Sequence, residues 1–558
     1  MRKRWIALGI VGALLVGGAV LRFVFPGEAV AFAARQGIPG MIGEWRNPIA
    51  PNRAVAWQRG PAAAPAGERP PNIILIVADD LGINDITAYG GGIAGGLVPT
   101  PNIDALAREG VDFTQGYAGN ATCSPSRAAM MTGRYPTRFG FEFTSIPPSF
   151  AATLGHAGNG PHPTIFRDDL NHDIMPSQQM GVPTGEITIA EALQARGYHT
   201  VHLGKWHLGE TNALGPHGQG FDESLGMRTG AGMFLPEDSP DTVNAKLPWD
   251  PIDSFLWPNL PYAVQYNNEQ RMRPVGHVTD YLTDNAMAAI SANKNRPFFM
   301  YLAYNAPHTP LQATREDYDA LAGIGDHKTR VYGAMVRQLD RRIGDVMAHL
   351  KAEGLDDNTL VIFTSDNGGA WYTGIEGHNL PYRGWKATFF EGGIRVPMFM
   401  RLPGRIAAGT RGAAPASHLD MFATIAAVSG AAVPSDRAMD SVNVLGGVVP
   451  GMASQAREAP LFWRSGDYRA VRAGDWKLSV GRGSQSAWLY NLADDPAERR
   501  DLSRAQPERV AALRAMIEAQ NRGLPPPLWP GLVEAPVRID VPLNAPWEAG
   551  QDWVYWTN

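Results

Sequence analysis

Between residues 72 and 364, short apolar runs alternate with stretches in which apolar residues recur at helical spacing. Asn72-Ile-Ile-Leu-Ile-Val-Ala78 is apolar at every position after the first, which predicts a strand buried on both faces. Comparable runs lie at 198–203, 297–304 and 360–364, and helical patterns at 187–196, 278–292 and 330–352 are interleaved with them. Strands separated by helices require crossover connections, so the pattern predicts an α/β domain with a mainly parallel sheet and helices on both faces. Each run is followed by polar residues: Asp79-Asp80 after the first, Lys205 and His207 after the second, His308 after the third, Asp366-Asn367 after the fourth. Ligands of open α/β sheets sit beyond the carboxyl ends of the strands. Four separate segments therefore bring ionisable or oxygen-bearing groups to one edge.

From about Glu458 the texture changes to shorter runs at 468–472, 476–480 and 488–490, split by Gly-Asp and Gly-Arg-Gly turns, which predicts a small antiparallel sheet. A helical pattern at 507–522 packs on it. The organisation read from the pattern is a catalytic α/β domain over 72–457, a smaller α+β unit over 458–525 and an extended tail over 526–558 lying on the surface. The tail's Trp529, Trp547, Trp553 and Trp556 read as packing residues, with a sugar-stacking platform as the alternative. Stretches 141–186 and 226–276 fit no core pattern and read as long loop insertions that form the substrate pocket. They carry His156, His162 and His172, and the segment after Asn367 adds Trp371, Tyr372, Glu376 and His378; for each of these the plain loop role is the default.

The amino terminus departs from this texture. Met1-Arg-Lys-Arg4 precedes a nearly uninterrupted apolar run over 5–21, the layout of an export signal or a short membrane anchor occupying 1–33. Ala31-Phe32-Ala33 is a cleavage candidate, and the reading leaves a cleaved signal and a retained membrane tether both open. Either way the expectation is an exported, periplasm-facing or secreted protein. Residues 34–71, with Pro51, Pro61, Pro65, Pro70 and Pro71, read as a linker to the folded body. A net charge of −5 without long basic runs argues against nucleic acid as a partner.

Residues 121–127 read Ala-Thr-Cys-Ser-Pro-Ser-Arg, and Cys123 is the only cysteine among 558 residues. A lone thiol excludes an internal disulfide framework and any multi-cysteine metal site, leaving a small hydrophobe or a reactive group. Pro125 early in a first turn and Gly133 past the last predict a helix that begins at this point. Residue 123 then stands at a helix amino terminus, where backbone N–H groups favour an anion.

The pattern Cys-x-Pro-x-Arg at 123–127 resembles the signature by which type I sulfatases convert a cysteine into formylglycine. Gly204-Lys-Trp-His-Leu-Gly209, Ala306-Pro-His-Thr-Pro310, Thr364-Ser-Asp-Asn-Gly368, Arg383-Gly-Trp-Lys386 and Glu391-Gly-Gly-Ile-Arg-Val-Pro397 are similar to further blocks of that family, in the family's order, and the resemblance spans roughly 70–505. It is strongest to the arylsulfatase-like group. It implies an alkaline-phosphatase-like α/β fold and hydrolysis of a sulfate monoester of a small molecule or a saccharide to an alcohol and sulfate. It also implies a partner enzyme that oxidises Cys123 to formylglycine, whose hydrated aldehyde attacks sulfur and later expels sulfate.

Sulfate-ester hydrolysis needs a nucleophile, cations or donors for the sulfuryl oxygens and an acid for the leaving oxygen. Asp79, Asp80, Asp366 and Asn367 are hard oxygen ligands that suit Ca²⁺ or Mg²⁺ better than Zn²⁺. The resemblance adds residue 123 to that metal site and assigns the other roles. Arg127 steadies the formylglycine hydroxyls, and Lys205 binds the nucleophile and the sulfate oxygens. His207 is the base of sulfate elimination, His308 donates to the leaving oxygen, and Lys386 contacts the sulfate. Lys205 and His207, two apart on an extended segment, are expected on one face. The insertions and tryptophans favour a carbohydrate ester, with an aryl sulfate as an equal assay. Two rival readings are a formylglycine-dependent phosphonate or phosphate ester hydrolase and a tethered binding protein that keeps the fold without turnover.

Overall fold

The computed structural model describes residues 26–64, 67, 69–156, 160–170, 174–453, 457–482 and 487–558. The expected signal or anchor and His172 fall outside or largely outside these residues. Among the described residues, no helix is long and apolar enough to cross a membrane.

The predicted strand forms as β1, Asn72–Ala78, buried along its whole length. In chain order the rest of its sheet is β2 (Val111–Phe113), β3 (His199–Lys205), β4 (Glu223–Met227), β5 (Gln265–Tyr266), β6 (Phe298–Ala303), β7 (Thr359–Ser365), β8 (Met398–Arg401) and β9 (Thr410–Gly412). The spatial order is β9-β2-β8-β7-β1-β6-β3-β4-β5. The five central strands, β7 to β4, are mutually parallel, and β8 and β5 join them antiparallel.

Alternation along β1 builds the two cores. Ile74 and Ile76 face Leu282, Val331, Met335 and Leu339, whereas Ile73, Leu75 and Val77 face Ala128, Met130, Leu193 and Ile425 on the other side. A strand packed on both faces has no position for a polar side chain, which is why its sequence is apolar throughout. Register then places the chemistry. Ala78 pairs with Ser365 and Gly204 with Ala303, so Asp79 and Asp366 leave adjacent strands side by side, with the segment after β6 next to β1 on its other side and Lys205 of β3 one strand beyond that.

The smaller sheet also forms: β10 (Leu461–Ser465), β11 (Tyr468–Ala473), β12 (Trp476–Val480) and β13 (Ala487–Asn491) pair antiparallel in sequence order. Helix Pro507–Asn521 packs Leu513 and Ile517 against Val471, Leu478 and Leu489 of this sheet.

Two expectations are corrected. The 34–71 stretch is not simply a linker. Helix α1 (Pro26–Arg35), which starts inside the 1–33 stretch, runs into it and is followed by helix α2 (Ile38–Arg46), with Ala31 and Ala34 buried and left-handed Gly37 turning one helix into the next. The 526–558 stretch is not an extended tail either: β14 (Val533–Arg538) and β15 (Trp553–Thr557) make a hairpin that also pairs with Ile165–Phe166 of the first insertion. Val533 and Val537 alternate inward with Val554 and Trp556, a period-two pattern hidden by the surrounding prolines.

Candidate active site

Helix α3 runs from Cys123 to Thr132, with Thr122 extended before it, Pro125 in its first turn and left-handed Gly133 closing it. Cys123 thus stands at the amino terminus of a buried helix. Its Sγ lies 3.6 Å from Asp79 Oδ1 and 3.8 Å from Asp80 Oδ1. One turn on, Arg127 is fully buried; its Nε donates to Asp366 Oδ2 at 2.9 Å and its Nη1 to the Lys205 carbonyl at 3.1 Å. Arg127 therefore ties the helix to the ends of β7 and β3.

Around the carboxylates the cations close in. Lys205 Nζ donates to both oxygens of Asp79, at 2.9 and 2.7 Å. Lys386 Nζ and the Tyr372 hydroxyl each reach Asp80 Oδ2 at 2.7 Å, and His308 Nε2 lies 3.6 Å from the same oxygen. The Asp80 N–H donates to Asp366 Oδ1 at 3.2 Å, and Asn367 Nδ2 to Asp80 Oδ1 at 2.8 Å. All ten residues singled out in the sequence contribute: nine are knit into this cluster, and His207 lines the same cavity as Cys123, His308 and Lys386.

His207 reaches the site by a different path from the one expected. Its backbone is left-handed, φ 57°, so it does not continue the extended alternation from Lys205. Its Nε2 is 2.8 Å from the Ser145 carbonyl, which can only accept, so Nε2 carries the proton. Nδ1 is then bare in the neutral ring, and it is buried without a partner.

Electrostatics follow from three buried carboxylates facing three buried cations. Burial alone raises the Asp80 pKa, but Lys386, His308 and Lys205 outweigh it and hold the carboxyl below its ordinary range. Asp366 is pushed up by burial and by Asp79 beside it. Burial lowers His308 to about 3 against the pull of Asp80, with Lys386 and Lys205 adding to the fall. Burial followed by Lys205 drives His207 well below its ordinary value. Burial pushes the Cys123 thiol far up despite Lys205 and Lys386. Lys386 is raised, its desolvation overcome chiefly by Asp80.

Asp79, Asp80, Cys123 and His308 each offer a ligand atom within 4.8 Å of one another. Asn367 Oδ1 is buried with no hydrogen-bond partner. A buried oxygen without a donor is costly, and a cation held by the neighbouring carboxylates satisfies it. The oxygen donors among these, from Asp79, Asp80 and Asn367, fit a hard divalent ion.

The cavity above Cys123 has a volume of about 370 Å³ and is walled by both insertions, by helix α2 and by Trp371 and Tyr372. The profile of the Sulfatase family matches residues 71–431. The chain belongs to the sulfatase family. It is 33% identical over 432 residues to N-acetylgalactosamine-6-sulfatase of Canis lupus familiaris, covering 75% of this chain and 72% of that one. It is 31% identical over 557 residues to steryl-sulfatase of Mus musculus, covering 82% of each. The solved structure of Ps i-CgsB in complex with k-i-k-neocarrahexaose aligns with a TM-score of 0.67 at 32% identity, over 83% of this chain and 95% of that one.

The sulfatase is thus a sulfuric ester hydrolase of alkaline-phosphatase-like fold. Sequence reasoning left Tyr372 as a plain loop residue, yet it donates to Asp80 and lies 3.1 Å from Lys386. Only its place between two site blocks could have marked it. Trp371 walls the cavity beside Tyr372, whereas two of the loop histidines lie elsewhere: His378 bonds Asp85 at 2.8 Å, and His162 stacks on Trp553.

Proposed function

We propose that this sulfatase hydrolyses a sulfate monoester with residue 123 as formylglycine and a divalent cation, Ca²⁺ or Mg²⁺, held by Asp79, Asp80, Asp366 and Asn367. The observation that carries the reading is the meeting of Cys123, at a helix amino terminus, with three carboxylates, two lysines and His308. The cation supplies charge for the sulfuryl oxygens and acidifies the nucleophile. Residue 123, oxidised to formylglycine, would supply as its hydrate two hydroxyls on one carbon, one as the nucleophile toward sulfur and the other to give up its proton when sulfate is released. The remaining work belongs to side chains already in place. Lys205 and Lys386 bind the sulfate oxygens, and Arg127 fixes the turn of helix that carries residue 123. His207, with Nδ1 bare, takes the proton in sulfate release, and His308 turns Nε2 toward the site, from which its doubly protonated ring donates to the departing alcohol oxygen.

The apolar run over 5–21 behind Arg2, Lys3 and Arg4 supports export, with the enzyme facing the periplasm or the exterior. Maturation of Cys123 requires a separate oxidising enzyme. The names of the relatives support two kinds of alcohol, a saccharide and a sterol.

The test joins mass spectrometry of the tryptic fragment containing residue 123 to rates with nitrophenyl sulfate and nitrophenyl phosphate. The expected result is an aldehyde in place of the thiol, with the sulfate ester preferred. Preference for the phosphate ester would transfer the reading to a phosphoryl hydrolase. An unmodified thiol in fully active protein would overturn the mechanism.

A further inference from the structure

Helix α2 meets the active-site cavity on one side and solvent on the other. Its Pro39, Gly40, Gly43 and Glu44 wall the cavity. Ile38, Met41, Ile42 and Trp45 are spaced i, i+3, i+4, i+7, the stripe that an ordinary surface helix turns toward the core. Here that stripe points outward. Trp45 is 82% exposed, Met41 69% and Phe32 of helix α1 64%, and α2 has no buried residue. Contiguous exposed apolar side chains of this size mark an interaction surface.

The chain itself says what covers the stripe. The apolar run over 5–21, preceded by Arg2, Lys3 and Arg4, ends five residues before helix α1 begins at Pro26. Retained as a tether, a run of that character partitions into lipid and would bring α1 and α2 to the same surface. Arg35 and Arg46 end the two helices, cations suited to anionic headgroups, and an exposed tryptophan is the residue enriched at bilayer interfaces.

The cavity wall has the same character. Ile146, Phe150, Ile252, Phe255, Leu256 and Leu260 line it, with Phe150 and Phe255 in edge-to-face contact at 4.9 Å. Asn259, a polar residue of the wall, is already engaged: its Nδ2 donates to the carbonyls of Ala34 and Phe255, and its Oδ1 accepts from Gly40 N–H. Glu44, Gln178, Glu210 and Arg271 also line the cavity, but a sugar ring brings hydroxyls that need partners on most sides, and apolar surface predominates in this wall.

Resting on the sulfate-ester reading above, we propose that the cavity takes the sulfate ester of an extended apolar alcohol and that the stripe of helix α2 lies on a lipid bilayer from which the ester is delivered. The test uses the full chain, with formylglycine at 123 verified by mass, on linear primary alkyl sulfates from butyl to octyl below their micelle concentrations. The leaving oxygen is chemically the same throughout, so the dependence on length reads burial alone. Burial of one methylene corresponds to about fourfold in kcat/KM. A rise of that order per methylene, and preference over an N-acetylhexosamine sulfate, is expected. A flat series with the sugar ester preferred would overturn the proposal and leave sulfate-ester hydrolysis standing. Failure of the formylglycine-bearing enzyme on every ester, nitrophenyl sulfate included, would overturn the underlying reading instead.

For the bilayer contact, the Met41→Ser/Trp45→Ser variant is compared with the wild type in phosphatidylcholine–phosphatidylglycerol vesicles. A several-fold loss on a long-chain ester dissolved in the vesicles, with butyl sulfate in solution turned over unchanged, is expected. Equal rates for the two proteins on the long-chain ester, or equal losses on both esters, would overturn delivery from the bilayer.

Discussion

The Sγ of Cys123 lies 3.6 Å from Oδ1 of Asp79, in a buried site where the thiol pKa is pushed far up. A cysteine used as a nucleophile needs its thiolate, which neighbouring cations or an exposed helix terminus stabilise. Here Lys205 and Lys386 are engaged by Asp79 and Asp80, and burial dominates. Burial, with Asp366 and Asp79 adding to it, therefore disfavours the thiolate at this position.

Substitution at this position separates attack from release. Cys123→Ala should lower turnover by roughly a thousandfold or more while costing no more than about 1 kcal/mol of stability, since the lost side chain is small. Cys123→Ser keeps a hydroxyl but lacks the second one needed to expel sulfate. Intact-mass measurement should find it retaining one sulfuryl group after a single turnover. Sustained turnover by the serine variant would remove the reason for a formylglycine.

Much of this site was legible because four of its segments follow buried strands. β1 appears over the residues read from the apolar run, and its register with β7 sets Asp79 beside Asp366 as the strand-end argument requires. What was hidden depends on tertiary contacts that leave no local period. Helices α1 and α2 were masked by the glycines and prolines around them, and α2 turns its apolar stripe outward, contrary to the usual inference from such a stripe. His207 reaches the cavity through a left-handed backbone that no side-chain pattern encodes. Tyr372 works through one hydroxyl, and nothing in its neighbours' hydropathy marks that.

Asn367 Oδ1, buried without a donor, makes the cation measurable apart from catalysis. Chelation should lower both activity and Tm. Calcium at about a hundred times its Kd should restore about 3 kcal/mol of stability to the wild type. Asn367→Ala should shift that calcium titration of Tm to higher concentration. An identical titration in the variant would take Asn367 out of the ligand set.

The role of His308 can be read from leaving groups. Its Nδ1 lies against the Thr309 carbonyl, which can only accept, so the neutral ring has its proton on Nδ1 and presents a bare Nε2. Donation to the leaving oxygen therefore requires the doubly protonated ring, which burial and the two lysines oppose and Asp80 favours. His308→Ala should slow an alkyl sulfate, whose alkoxide leaves poorly, by about 10²–10⁴-fold. Nitrophenyl sulfate, whose phenolate needs no proton, should lose far less. Equal losses would make the ring a binding group.

A second buried charge cluster, where the catalytic domain meets the smaller sheet, predicts how stability varies with pH. Lys477 Nζ lies 2.8 Å from Glu391 Oε1 and 2.9 Å from Glu498 Oε1, all three fully buried. Burial raises the Glu498 pKa to about 7; Lys477 opposes the rise, and Glu391, held down to about 2 chiefly by Lys477 against its own burial, adds to it. The folded protein thus binds the Glu498 proton more tightly than the unfolded chain, whose glutamate titrates near its ordinary 4.5. The resulting stability is complete below about pH 4.5 and is lost as pH rises through about 7. Glu498→Gln fixes the side chain in its neutral form and keeps an acceptor for the Glu391 N–H, 2.6 Å away. At pH 8 the variant should be more stable than the wild type by up to about 3 kcal/mol, with the difference vanishing near pH 4. Urea unfolding at the two pH values decides it: parallel pH dependences in both proteins would mean that Glu498 stays ionised in the folded state.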